Sequence, residues 1–130
     1  MSLFPQTLRV VAVAIFGIAT IHVLFGPTAE TWLGAVLSDQ SLGDPVLDSQ
    51  NRFYGGAFAL YGAVMWLAAK DLARYQTIFV VSQVIFFTAG LARLLAIINT
   101  GWPSSMVLFL LALELLVPPI LVLLYRRANS

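Results

Sequence analysis

A chain of 130 residues with 60% hydrophobic and 10% charged side chains departs far from a soluble domain, which runs at about 45–50% apolar and about 25% charged. It is expected to be an integral membrane protein of a single domain. Seven Lys+Arg against six Asp+Glu leave a net charge of +1, without the basic stripe that a nucleic-acid partner requires, while the absence of cysteine and the single histidine exclude disulfides, thiolate catalysis and a multi-histidine metal centre.

The first apolar run extends from residue 8 to residue 25, with Arg9 just inside it, and is long enough to cross a bilayer. Gly26-Pro27-Thr28 offers no small-x-small cleavage site and three more apolar segments follow, so a mature first helix is expected rather than a signal peptide. His22 lies one turn from its far end.

Residues 26–51 form the long polar stretch, which carries Glu30, Asp39, Asp44 and Asp48 and no basic residue. Thr28 as N-cap, followed by Trp32, Leu33, Val36 and Leu37, predicts a short amphipathic helix on the membrane surface. Asp44-Pro45 reads as an N-cap with proline at the first helical position. The second helix therefore starts before the bilayer, with Asp48 four residues ahead of Arg52 in the order that favours an ion pair on one helix face.

The second span, 53–69, carries Gly55, Ala59 and Ala63 at four-residue intervals beside Gly56 and Gly62, a face expected to pack closely on another helix. Lys70, Asp71 and Arg74 end it. The third span, 77–98, places Ser82, Ala89, Gly90 and Arg93 along one side. The turn around Trp102-Pro103 leads to the fourth span, 106–125, which ends in Arg126-Arg127. Trp66, Tyr75, Trp102 and Tyr125 stand where interfacial aromatics belong. The expectation is an all-α protein: a four-transmembrane-helix bundle with an amphipathic surface helix in its first external loop. Arg9, Lys70, Arg74, Arg126 and Arg127 fall on the side of both termini and Arg52 near the other, so the positive-inside rule makes the termini cytoplasmic.

Two charges lie inside apolar runs. Arg93 is about 7–8 Å below the far surface on the third helix and Glu114 about 12 Å below it on the fourth, at ~1.5 Å per residue. Side chains lean toward the N-terminus of their own helix, so on antiparallel helices these two lean toward each other. A charge in the bilayer centre costs about 2.5–3.5 kcal/mol on insertion scales. The pair either fixes helix register or, with His22 and Arg52, lines a cavity on the outer side for a polar headgroup or for proton transfer at Glu114. Ser82 and Gln83 are expected to hydrogen-bond between helices, and Pro118-Pro119 to kink the fourth helix. No Walker loop, dinucleotide fingerprint, nucleophile elbow or metal-ligand spacing is present, so neither a catalytic set, a cofactor nor a metal is expected.

Three motifs carry a resemblance: Arg52-Phe53-Tyr54-Gly55-Gly56, Gly90-Leu91-Ala92-Arg93-Leu94, and Glu114-Leu115-Leu116-Val117-Pro118-Pro119. They resemble a family of small bacterial four-helix membrane proteins of unknown function, similar in layout to the DoxX-like proteins. The resemblance implies a bundle in the bacterial cytoplasmic (inner) membrane and places Arg52, Arg93 and Glu114 at motif positions. Two functions are expected from different classes. One is a non-catalytic accessory subunit that packs against a larger respiratory or photosynthetic complex. The other is a binder of a lipid, quinone or sterol-like ligand in an outer-leaflet cavity, with a proton-transfer isomerase as its catalytic variant.

Overall fold

The computed structural model describes residues 3–130, and the described residues form six helices: α1 (Leu3–Phe25), α2 (Pro27–Trp32), α3 (Asp39–Leu42), α4 (Pro45–Lys70), α5 (Gln76–Thr100) and α6 (Ser105–Ala128). Helices α1, α5 and α6 are each long and apolar enough to cross a membrane, which makes the chain a multi-pass membrane protein. Helix α4 matches them in length, but its glycines, tyrosines and the polar Ser49-Gln50-Asn51-Arg52 opening dilute its apolar character.

The buried residues of α1, Phe4, Leu8, Ala12, Ile15, Ala19 and His22, recur every three or four positions and make one stripe along the helix. Helix α4 packs along this stripe with Gly55 and Gly62, where an added Cβ would meet His22 and Ile15 respectively. The contact glycines are therefore seven residues apart, and Gly56, expected beside them, faces open space. Asp44 caps α4 by accepting from the backbone N–H of Val46 and Leu47 at 2.8 and 2.9 Å.

The second hairpin is α5–α6. The two hairpins are joined by a core at the end where the chain termini lie, built from Phe4, Leu8, Val64, Met65, Ala68, Phe79, Leu121 and Tyr125. Tyr125 is fully buried there, stacked on Phe79 at 4.2 Å and edge-on to Phe4 at 6.0 Å, with its hydroxyl donating to the Leu72 carbonyl. Tyr125, expected among the interfacial aromatics, turns its ring inward onto Phe4 and Phe79 and not outward to lipid. Between the hairpins, stacking continues as far as Tyr61–Phe86 (4.5 Å) and Phe58–Phe86 (6.1 Å). Beyond those rings, the buried groups pack within their own hairpin: Gly55 on His22, and Gly90 on Glu114. We call this the distal end.

The expected Thr28-capped helix is also corrected. Gly26 takes the cap position with φ +57°, a value glycine adopts without steric cost, and its N–H bonds the His22 carbonyl at 2.8 Å. Pro27 then opens α2, Thr28 lies inside it, and α2 is over by Trp32, so Val36 and Leu37 fall outside. Helix α6 runs unbroken through Pro118 and Pro119.

Candidate functional site

At the distal end of the second hairpin, Arg93 and Glu114 meet in a two-pronged contact. Arg93 Nε donates to Glu114 Oε2 and Nη2 to Oε1, both at 2.8 Å. Gly90, one turn before Arg93, makes this approach possible, because a Cβ there would lie 2.9 Å from both Glu114 Cβ and Leu115 Cδ2. The parallel prongs match the planar guanidinium to the carboxylate. Glu114 is nearly buried, with 9% of its side chain exposed, whereas Arg93 keeps 33%. Its Nη1 has no hydrogen-bond partner among the described residues, so both N–H donors of that nitrogen remain open.

The first hairpin contributes a separate group. His22 Nδ1 donates to the Ile18 carbonyl at 2.7 Å and Nε2 contacts Glu30 Oε1 at 3.1 Å. The same Glu30 oxygen accepts from Asn51 Nδ2 at 3.1 Å. Asn51 Oδ1 is buried and unpartnered. The charge of Glu30 acts on Arg93 across the gap between the hairpins, so the two groups share one end of the molecule.

Arg52 is occupied elsewhere. Its Nε and Nη2 bond Asp48 at 2.8 and 3.1 Å, and its Nη1 donates to the carbonyls of Val23 and Leu24 at 2.9 and 2.7 Å. These carbonyls end α1, where a cation is favoured by the helix dipole. Arg52 is thus the cap that ties α4 to the end of α1. The hydrogen bonds from Arg52 hold the Asp48 carboxyl below its ordinary range, against a smaller opposing effect of desolvation. Of the four side chains grouped from the sequence, Arg93 and Glu114 are in contact, His22 is bonded to Glu30, and Arg52 is bonded to Asp48 and α1.

Glu30 and Asn51 were invisible as site residues in the sequence. Glu30 sits eight positions after His22 in a stretch that reads as a solvated loop, and only its place in the first turn of α2 could have flagged it. Asn51 reaches Glu30 across a separation of 21 residues, which no local pattern encodes.

Below this end, α4 and α5 enclose an apolar groove of about 370 Å³, lined chiefly by Ala57, Phe58, Leu60, Tyr61, Phe86 and Ala89. Ala89 is one helical turn below Arg93, on the same helix face. At the lower end Tyr61 donates to Gln83 Oε1 at 2.7 Å, and Gln83 Nε2 reaches Met65 Sδ at 3.5 Å. Gln83 thereby links α4 to α5, whereas Ser82 bonds within its own helix to the Phe79 carbonyl. A second depression, between α3 and the start of α4, is open and its one carboxylate, Asp44, is already the cap of α4. No group of three or more metal-ligating side chains occurs among the described residues.

Fold and site together define a multi-pass helical membrane protein with a bidentate ion pair at one end of an apolar interhelical groove. The chain belongs to the DUF4345 family, a domain of unknown function, whose family model matches residues 6–125. Neither the search of curated proteins nor that of solved structures gives a match.

Proposed function

We propose that this protein binds an amphiphilic molecule in its distal cleft, with an oxygen-bearing head on Arg93 and an apolar tail along the α4–α5 groove. A lipid, a quinone or a sterol-like compound has this chemistry. The observation that carries the reading is the open Nη1 of Arg93, a charged double donor one turn above an apolar channel. An unpaired donor at membrane depth is costly, and an acceptor oxygen on a ligand removes that cost. Pocket size and lining suit a small-molecule site, apolar with a few placed polar groups.

In this reading α4 is the fourth span, held in the bilayer by the close packing of Gly55 and Gly62 on α1 rather than by its own hydropathy. The chain is one four-helix membrane domain, in keeping with its likeness in layout to DoxX-like proteins. Its termini lie on the cytoplasmic face of a bacterial inner membrane and the cleft in the outer leaflet, as the distribution of Lys and Arg suggests. An accessory role in a larger complex rests on the outward apolar faces alone, and lipid tails satisfy those equally well.

Native mass spectrometry of the protein extracted from its own membrane tests the proposal. A retained small molecule, enriched over the bulk lipid, is expected. Arg93→Leu and the groove-filling Ala89→Phe should each cut its retention roughly ten-fold or more, since a hydrogen bond to a charged group is worth about 1.5–3 kcal/mol. Bound material identical to bulk lipid in all three proteins, or a protein partner with no small molecule, overturns it.

A further inference from the structure

The contact between His22 and Glu30 contains a proton count. His22 Nδ1 lies 2.7 Å from the Ile18 carbonyl oxygen, and a carbonyl only accepts, so Nδ1 carries hydrogen. Nε2 lies 3.1 Å from Glu30 Oε1. A neutral ring in the Nδ1–H tautomer would set its Nε2 lone pair against the lone pairs of an ionised carboxylate. The contact is attractive only when one more proton lies between Nε2 and Oε1, on the imidazole or on the carboxyl group.

We infer that His22 and Glu30 form a proton-binding dyad at the distal end of α1, holding one dissociable proton. The neighbouring carboxylates are committed differently. Both oxygens of Glu114 accept from Arg93 and both oxygens of Asp48 accept from Arg52, and a guanidinium keeps its charge. Glu30 faces an imidazole instead, whose ring nitrogens can each hold or give up a hydrogen.

Every helix around the dyad presents its charges in a fixed arrangement. Helix α1 brings His22, in its last turn, where the helix dipole favours a cation. From α2 comes Glu30, and from α4 come Asn51, which donates to Glu30, and the mutually paired Arg52 and Asp48. Across the gap, α5 brings Arg93 and α6 brings Glu114. With the proton bound, imidazole, Glu30, Arg93 and Glu114 sum to zero charge. Its release leaves one negative charge within electrostatic range of Arg93 and breaks the side-chain hydrogen bond between α1 and α2. The dyad is therefore placed to give a proton to, or take one from, a hydroxyl, enol or water at this end of the molecule. Glu114, one candidate from the sequence for proton transfer, has both oxygens held by Arg93, whereas Glu30 faces a group that can share its proton. The inference stands on hydrogen-bond geometry and does not depend on the ligand reading.

The protein has a single histidine and two glutamates, Glu30 and Glu114, so nuclear magnetic resonance can count this proton directly. In nanodiscs at pH 7, ¹⁵N signals of the ring and ¹³C signals of the glutamate carboxyls should report one proton beyond Nδ1–H for the pair: a doubly protonated ring beside ionised Glu30, or a neutral ring beside protonated Glu30. In Glu30→Gln the doubly protonated ring should fall roughly ten-fold or more, as expected when an adjacent carboxylate is removed. Asp39→Asn, which removes the same charge from exposed α3, should leave the wild-type signals unchanged. A neutral ring facing ionised Glu30 at that pH overturns the dyad, and so does a second ring proton that persists undiminished in Glu30→Gln.

Discussion

Arg93 is the residue on which most of the site depends, and its cost is set by what remains when its partner is removed. An intramembrane charge is tolerated when it is paired and hydrogen-bonded, and Glu114 supplies both prongs at 2.8 Å. Glu114→Ala leaves the guanidinium unpaired beside apolar side chains. The expected loss of stability is below the about 3–5 kcal/mol known for breaking a fully buried pair, because a third of the Arg93 side chain stays exposed. Replacing both residues, Arg93→Met with Glu114→Leu, should recover most of that loss, since two apolar groups of similar volume need no partner. Unfolding in graded sodium dodecyl sulfate measures both variants. A double variant that is no more stable than Glu114→Ala would show that the single loss does not come from an orphaned charge.

At the scale of the helix, α4 is held by how closely it approaches α1. Side chains do not gain from leaving water inside a bilayer, so contact area and close packing must do what hydrophobicity does elsewhere. At Gly55 an added Cβ would sit 2.7 Å from His22 Cβ and 3.2 Å from both the Ala19 carbonyl oxygen and the Val23 nitrogen. Two of those three atoms are backbone and cannot swing away, so Gly55→Ala must push the helices apart. A cost of about 1–3 kcal/mol is expected, as for other overpacked contacts. The adjacent Gly56 meets nothing within 4 Å, and Gly56→Ala should be neutral or stabilising by up to about 1 kcal/mol through helix propensity. Thermal melts in one detergent compare the two. Equal destabilisation at both positions would place the α1–α4 contact elsewhere. Of the small residues the sequence grouped on this face, Gly55 and Gly62 approach α1 closely, whereas Gly56 faces open space. Residues seven apart return to the same helix face after about two turns, so one face of α4 can bring both glycines against α1.

For the whole molecule, two hairpins share one core at the end near the termini, and at the other end their buried groups pack within each hairpin. The proposed orientation has a topological consequence, because it has α4 carry the chain back across the bilayer between α1 and α5. The absence of native cysteine makes this simple to check. Single cysteines at the exposed positions Gln40, Ala73, Thr100 and Asn129 should divide into two classes toward a membrane-impermeant maleimide in intact cells. Gln40 and Thr100 should be labelled, and Ala73 and Asn129 protected until the cells are opened. Labelling of Ala73 together with Gln40 would remove the fourth span and the proposed orientation with it.

Composition and pattern alone determined that the chain is helical and membrane-embedded, because several runs of apolar residues long enough to span a bilayer leave few other solutions. Local chemistry determined the start of α4 as well, since Asp44-Pro45 is a cap that acts within three residues. The lean of side chains on antiparallel helices pointed Arg93 and Glu114 toward each other, and that argument needs only a hairpin. Only the tertiary structure decided which other charges join them. His22 is taken by Glu30, which Asn51 also bonds, Arg52 is taken by the end of α1, and Tyr125 turns its ring into the core. Each of these depends on where separate helices come together, and helical periodicity carries information about the face of one helix but none about which neighbour it meets.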